Sequence, residues 1–134
     1  MVNEEHKAAV HRLLEAFNAQ DAAAFDQLAT PEIAQQCKDT MREVYAMYEG
    51  HHVDATDMIA EGDKVWARVA TRGGHSGEWE GIPPTGKQWT NTGVVFLRFV
   101  DGKIAEFEGL FDELGHLKQL GATISPPASK SVNA

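Results

Sequence analysis

The chain has 134 residues, of which 43% are hydrophobic and 24% are charged, and its formal net charge is −8 at pH 7. This length fits one globular domain with a hydrophobic core, and no apolar run is long enough to span a membrane. The negative charge argues against nucleic acid or an anionic membrane as a partner. Cys37 is the single cysteine, which excludes an internal disulfide and favours a reducing, cytoplasmic setting.

Helical periodicity dominates the first third of the chain. Residues 3–18 place apolar side chains at helical spacing, which predicts an amphipathic helix. Asp21 is expected to cap a second, short helix, and Pro31 to start another turn. Residues 35–48 again have one apolar side, and Gly50 is expected to end that helix.

From residue 53 the apolar residues alternate with polar ones, which predicts strands. The strands are expected at residues 53–60, 64–71, 88–100 and 103–111, with residues 75–80 continuing the sheet and a short helix at 114–120. Helices followed by antiparallel strands predict an α+β fold in which a strongly curved sheet wraps around the N-terminal helices. Residues 1–124 are expected to form this domain, and residues 125–134 a flexible tail.

The loop at residues 81–87, GIPPTGK, has the glycine and lysine spacing of a phosphate-binding loop. Such a loop holds phosphate with backbone N–H groups, but Pro83 and Pro84 have none. Gln88 stands where a magnesium-binding Ser or Thr would be, and a strand pattern follows instead of a helix. These departures argue against a nucleotide site.

Two titratable residues flank the last two predicted strands. Asp112 follows the apolar Phe111, so we expect desolvation to raise its pKa and make it a competent base. An alternative role for Asp112 is to cap the helix that begins at Glu113. His75 could share a proton with Asp112 or donate to a substrate carbonyl, but it could equally be a solvated residue in a bend.

The aromatic residues supply flat apolar surface for a polycyclic ligand, although each could also be a core or interface residue. The candidate ligand contacts are Trp66, Trp79, Trp89, Phe96 and Tyr45, with Asn91 to orient a ligand oxygen. The remaining histidines and the carboxylates do not combine at metal-ligand spacing, so no metal site is expected.

Glu106 and Glu108 have the same strand parity as Asp112, so a regular strand would place three carboxylates on one face. Three carboxylates in one cavity would be costly. A β-bulge near Gly109 is therefore expected to turn Asp112 inward while the two glutamates face outward.

Three segments together resemble one family: HSGEWEGIPPTGK at residues 75–87, DGKIAE at 101–106 and FDELGHLKQLG at 111–121. The chain resembles the SnoaL-like polyketide cyclases of the nuclear transport factor 2-like superfamily, and the turn IAEGDKV at residues 59–65 is similar too. The resemblance implies a cone of helices packed into a curved sheet, a deep apolar cavity, and association of subunits through the sheet.

The same resemblance implies an intramolecular aldol reaction that closes a ring in a polyketide, without metal or organic cofactor. Asp112 would be the general acid/base and His75 would lie near it. The partners implied are a hydrophobic small molecule and further copies of the chain. Two alternatives stay open: a non-catalytic protein that binds a small hydrophobic ligand, and a hydroxylase or isomerase of the same fold. Residues 32–52, rich in polar side chains, match no ligand contacts of the family.

Overall fold

A computed structural model describes residues 2–127, so residues 128–134 of the predicted tail lie outside the described part of the chain. The helices are α1 (Val2–Ala19), α2 (Ala22–Leu28), α3 (Pro31–Met47) and α4 (Glu113–Gln119). The strands are β1 (Tyr48–Glu61), β2 (Lys64–His75), β3 (Gln88–Val100) and β4 (Lys103–Phe111). Within residues 2–127, no helix is long and apolar enough to cross a membrane.

Helix α3 is longer than the sequence predicts. The Thr30 hydroxyl accepts a hydrogen bond from the Ile33 N–H, and Pro31 occupies the first turn. Proline is compatible with this position because the first N–H groups of a helix have no partner inside the helix. The separately predicted turn and helix are therefore one element. It ends before Gly50, since Tyr48 is already extended and opens β1.

The four strands pair antiparallel in the order β1-β2-β3-β4 and form a curved sheet that does not close. The predicted α+β fold and the predicted bounds of β3 and β4 are confirmed. Gly62 and Gly102 form the two tight turns with positive φ, at +61° and +78°. The sheet does not continue through residues 75–80, because β2 ends at His75 and the chain beyond makes only an isolated bridge.

The core lies between the helices and the inner face of the sheet. Leu13, Phe25, Val65 and Leu97 are among its fully buried side chains. In β2 and β3 the buried residues alternate with exposed ones, as expected for a sheet with one covered face. Asn18 joins α1 to β1, because its side-chain amide donates to and accepts from the backbone of Val53, both at 2.9 Å.

The β-bulge of β4 is at Ala105. Arg98 pairs with Glu106 and the next residue of β3 pairs with Ile104, which leaves Ala105 unpaired. The prediction of a bulge near Gly109 is therefore wrong, because the register is continuous from Glu106 to the end of the strand. Glu106 forms an ion pair with Arg98. The bulge therefore changes which residues of β4 face the helices, and it does so several residues earlier in the strand than expected.

Candidate active site

A cavity of about 340 Å³ opens between the helices and the inner face of the sheet. This volume is within the range of small-molecule sites in proteins. Most of its wall is apolar, including Leu14, Phe17, Val53, Val69, Val95 and Phe107. Its polar groups include Tyr48, His51, Thr71, Asn91, Glu113 and His116. The arrangement suits a largely apolar ligand that carries a few oxygen atoms.

Helix α3 contributes one continuous stripe to this cavity. Gln36, Thr40 and Val44 all line the wall and are spaced four residues apart, and Tyr48, the first residue of β1, continues the line. Side chains at this spacing lie on the same face of a helix. Part of the polar segment at residues 32–52 therefore belongs to the site, although no family motif indicated it.

Five aromatic side chains of the cavity wall pack together as a cluster. The imidazole of His116 lies between two indoles, with its ring centroid 4.4 Å from that of Trp79 and 4.3 Å from that of Trp89. The Tyr48 ring completes the cluster, 4.6 Å from Trp89 and 5.5 Å from His116. His51 packs beside it, 5.9 Å from Trp89. We call these five residues the aromatic cluster.

Helix α4 places His116 in the aromatic cluster. The side chain of Gln119 forms two hydrogen bonds with the backbone of Thr90 in β3, accepting from its N–H at 2.9 Å and donating to its C=O at 2.7 Å. Because Thr90 follows Trp89, this pairing holds the preceding turn of α4 against the Trp89 indole. The glutamine of the LKQLG segment therefore has a structural role that the sequence pattern left unexplained.

Burial changes the protonation of the cluster. It lowers the pKa of His51 to about 4, with a further contribution from the neighbouring His52. Burial also lowers the pKa of His116, and His75 adds to that effect. Burial, and secondarily Glu80, raises the pKa of Tyr48 to about 12. At pH 7 these three groups of the aromatic cluster are consequently neutral hydrogen-bonding groups.

His75 is fully buried, so the solvated-bend alternative is wrong. Its Nδ1 is 3.0 Å from the Thr85 hydroxyl and accepts the Thr85 backbone N–H at 3.2 Å. The backbone of His75 also pairs with Gly86 and Lys87 of the same loop. A backbone N–H group of the GIPPTGK loop, that of Thr85, thus donates a hydrogen bond to the His75 imidazole. His75 lies 6.4 Å from the Tyr48 ring, behind the side chains that line the cavity.

Asp112 is exposed and caps α4, since its Oδ1 accepts the Gly115 N–H at 2.8 Å. The capping alternative is therefore confirmed, and the expected desolvation of this carboxyl is wrong. The bulge sets the parity that turns Phe111 toward the cavity, and Asp112 follows it as an exposed residue just beyond the end of β4. Asp112 nevertheless lies between two residues that line the cavity, Phe111 and Glu113.

The predicted ligand contacts divide between the two sides of the sheet. Trp79, Trp89 and Asn91 line the cavity. Trp66 and Phe96 do not: they pack on each other on the outer face, with ring centroids 4.7 Å apart, and Trp66 is 53% exposed. Their prediction as ligand contacts is corrected by strand parity, because Trp66 in β2 and Phe96 in β3 both stand at positions of the outward-facing side of their strands.

Tyr45 is also absent from the cavity wall. Its hydroxyl donates to the Phe17 carbonyl at 2.9 Å, which ties α3 to the end of α1. The prediction of Tyr45 as a ligand contact is corrected by helix geometry, because it follows Val44 directly and adjacent residues on a helix point in different directions. Across residues 2–127, no group of three or more His, Cys, Asp or Glu side chains could hold a metal ion.

The residues that sequence reasoning missed are His51, His116 and the α3 stripe. His116 carried one usable signal, its place in the FDELGHLKQLG segment three residues before Gln119. His51 carried none, because its position in the cluster depends on β1 starting at Tyr48, earlier than its alternation indicates.

The family model described as SnoaL-like polyketide cyclase matches residues 7–120. The chain is 35% identical over 77 residues to the aklanonic acid methyl ester cyclase DnrD of Streptomyces peucetius, a match that spans 58% of this chain and 53% of that protein. The chain thus matches only about half the length of this relative.

A second relative is matched along most of its length. The aklanonic acid methyl ester cyclase AcmA of Streptomyces galilaeus is 29% identical over 133 residues, which cover 87% of this chain and 91% of AcmA. Among solved structures, TsrD from Streptomyces laurentii has a TM-score of 0.83 at 25% identity, covering 90% of this chain and 97% of that one. The chain therefore belongs to the SnoaL-like polyketide cyclase family.

Proposed function

We propose that the protein is an enzyme that closes a carbon ring in a hydrophobic carbonyl compound of the aromatic polyketide type. The observation that carries the proposal is the largely apolar cavity with a small number of polar side chains in its wall. Membership of the cyclase family supports it, as do two relatives named for action on aklanonic acid methyl ester. The substrate class is accordingly a fused aromatic ketone with a carbonyl-bearing side chain.

The reaction is an intramolecular aldol addition. A base removes a proton from a carbon next to a carbonyl group, and the resulting enolate attacks a second carbonyl carbon in the same molecule. A carbon–carbon bond forms, and the attacked oxygen receives a proton. Substrate and product have the same composition, so the reaction needs no oxidant, reductant or co-substrate.

We propose Asp112 as the base and His75 as a supporting hydrogen-bonding group. Asp112 occupies the acid/base position of the family motif and lies between the cavity-lining Phe111 and Glu113. One carboxylate oxygen is fixed by the Gly115 N–H, while the other has no hydrogen-bond partner within the described residues. A carboxylate held at one oxygen keeps the other available for proton abstraction.

A substrate assay tests the proposed function. The purified protein is incubated with aklanonic acid methyl ester and with simpler aromatic β-dicarbonyl compounds, and the products are separated by chromatography with mass detection. We expect a new compound of unchanged mass and shifted retention time. A mass increase of one oxygen would indicate hydroxylation instead. Tight binding of these compounds without any product would show a binding protein.

We further propose that copies of the chain associate through the outer face of the sheet. Large apolar side chains are exposed there, and paired strands place Ile59 opposite Trp66 and Val94 opposite Leu110. Exposed apolar patches of this kind mark association surfaces. In sedimentation equilibrium we expect Trp66→Lys to lower the assembly state. Ile124→Lys changes an exposed apolar residue outside the sheet and should leave it unchanged.

A further inference from the structure

Several buried nitrogen atoms around the aromatic cluster have no hydrogen-bond partner in the described part of the chain. They are Nδ1 of His51, Nε2 of His75, Nε1 of Trp89 and Nε2 of His116. Buried polar groups in proteins are nearly always paired, because leaving one unpaired costs stability. A group of such atoms beside a cavity indicates a hydrogen-bonding function that the resting protein does not satisfy.

The protonation of His75 follows from its partner. A backbone N–H can only donate, so the bond from the Thr85 N–H requires a lone pair on Nδ1 of His75. The Thr85 hydroxyl accepts from the Lys87 N–H, which leaves its own hydrogen free to point at the same Nδ1. His75 is thereby fixed as the neutral tautomer whose proton is on Nε2. That N–H is a buried donor that lacks an acceptor.

His116 offers the complementary group. Its Nε2 is also buried and unpaired, and both histidines pack beside the Tyr48 ring, at 6.4 Å for His75 and 5.5 Å for His116. The stacking of His116 between Trp79 and Trp89 prevents either indole from approaching Nε2 in the plane of the imidazole. His75 also contributes to the lowered pKa of His116, so the two imidazoles are near one another. A lone pair on Nε2 of His116 suits a neighbour whose Nε2 carries a proton, and it leaves the proton of His116 on Nδ1.

We propose that His116 polarises the reacting carbonyl of the substrate as a neutral Nδ1–H donor, and that Thr85 and His75 are positioning residues that hold it in that tautomer. This inference rests on the proposed function, since it assigns a role in the same ring closure. As a residue of the cavity wall, His116 can reach a ligand, whereas His75 acts through it. The GIPPTGK loop, which has the spacing of a phosphate loop, sets the tautomer in this assignment.

A neutral imidazole suits the aldol step. As the base removes its proton, negative charge develops on the carbonyl oxygen of the enolate, and a donor already in place stabilises it. A neutral histidine with a lowered pKa performs this task in triosephosphate isomerase, a documented precedent for the principle. The lowered pKa of His116 keeps it uncharged at pH 7, so it donates a hydrogen bond without giving up the proton.

The first experiment measures the tautomers directly. Long-range ¹H–¹⁵N NMR spectra of the labelled protein at pH 7 separate the Nδ1–H, Nε2–H and charged forms of each histidine. We expect His75 as the Nε2–H form and His116 as the Nδ1–H form. An Nε2–H or charged His116 would overturn the inference, whatever reaction the enzyme performs.

The second experiment uses variants of His116 with the cyclisation assay. His116→Phe keeps an aromatic ring between the two indoles but has no donor, and we expect kcat to fall roughly 10²- to 10³-fold. His116→Gln keeps a hydrogen-bond donor of similar reach. It should retain at least roughly a tenth of the wild-type rate, because the net contribution of one hydrogen bond corresponds to about a tenfold change. Equal activity of His116→Phe and wild type would overturn the role of His116 while leaving the proposed function intact.

The third experiment tests His75 as a positioning residue. His75→Gln keeps an N–H near the position of Nε2, whereas His75→Leu has a similar size and no donor. In His75→Leu we expect the NMR spectrum to show His116 as a mixture of both neutral tautomers, and we expect the acid limb of the pH–rate profile to move. In His75→Gln we expect neither change. The titratable groups of the cavity wall, His51, Tyr48 and Glu113, are the same in both variants. An unchanged His116 signal in folded His75→Leu would remove His75 from the assignment.

Discussion

Asp112→Asn is expected to lower kcat by roughly 10²- to 10⁴-fold, the usual contribution of a general base. The structure makes this substitution unusually informative, because the carboxylate caps α4 through the Gly115 N–H. Asparagine is as good an N-cap as aspartate, so the variant loses the base but keeps the cap. Its thermal unfolding midpoint should therefore stay within a few degrees of wild type, about the effect of 1 kcal/mol or less. Steady-state kinetics and a thermal melt measure the two properties separately.

Two further variants at this position complete the test. Asp112→Ser also preserves the cap and should be as inactive as the asparagine variant. Asp112→Ala removes both functions, and we expect an additional loss of stability of about 1 kcal/mol. If the asparagine and serine variants turn over at wild-type rates while the alanine variant is merely less stable, Asp112 is only a cap. The base would then have to be sought among the groups that line the cavity.

Acid is expected to destabilise the protein through His51 and His116 of the aromatic cluster. Burial lowers the pKa of His51 from 6.5 to about 4 and also lowers that of His116. Below about pH 6.5 the unfolded chain binds protons that the folded protein does not. The free energy of unfolding should consequently fall as the pH decreases below 6.5, by up to about 1.4 kcal/mol per pH unit for His51 down to about pH 4, with His116 acting in the same direction.

Urea titrations between pH 7.5 and 4.5 measure this slope. In His51→Gln the free energy of unfolding should depend less steeply on pH, by the equivalent of about one proton taken up on unfolding, because glutamine does not titrate. His11→Gln is the matched control, since His11 is exposed on α1 and lies outside the aromatic cluster. Identical slopes in wild type and His51→Gln would show that His51 titrates alike in the folded and unfolded states. The aromatic cluster would then be open to water.

Local patterns predicted the sheet well and the helices less well. The bounds of β3 and β4 follow from alternation and from the Asp101-Gly102 turn, in which both residues adopt positive φ. These features depend only on neighbouring residues. Pro31, by contrast, can begin a helix or interrupt one, depending on the residues before it. Here Thr30 caps the helix just before Pro31, so residues 31–47 form the single helix α3.

The site was predicted in part. Trp79, Trp89 and Asn91 were placed correctly on the cavity wall, but Trp66 was not. Both Trp66 and Trp89 lie on strands with mixed faces, so composition did not show which face the helices cover. The five histidines other than His75 were considered only as metal ligands, and the stacking and burial of side chains have no signature in residue spacing.

The sequence by itself determined the fold class, the family, the hairpins and the segment from which the site is built, because each depends on short-range pattern or on motifs read in order. Only the tertiary structure decided which residues meet. The bulge at Ala105 turns Phe111 toward the cavity, and the bonds of Gln119 bring His116 onto Trp89. A one-residue shift in a strand exchanges its two faces, and that shift is fixed by pairing with a distant strand.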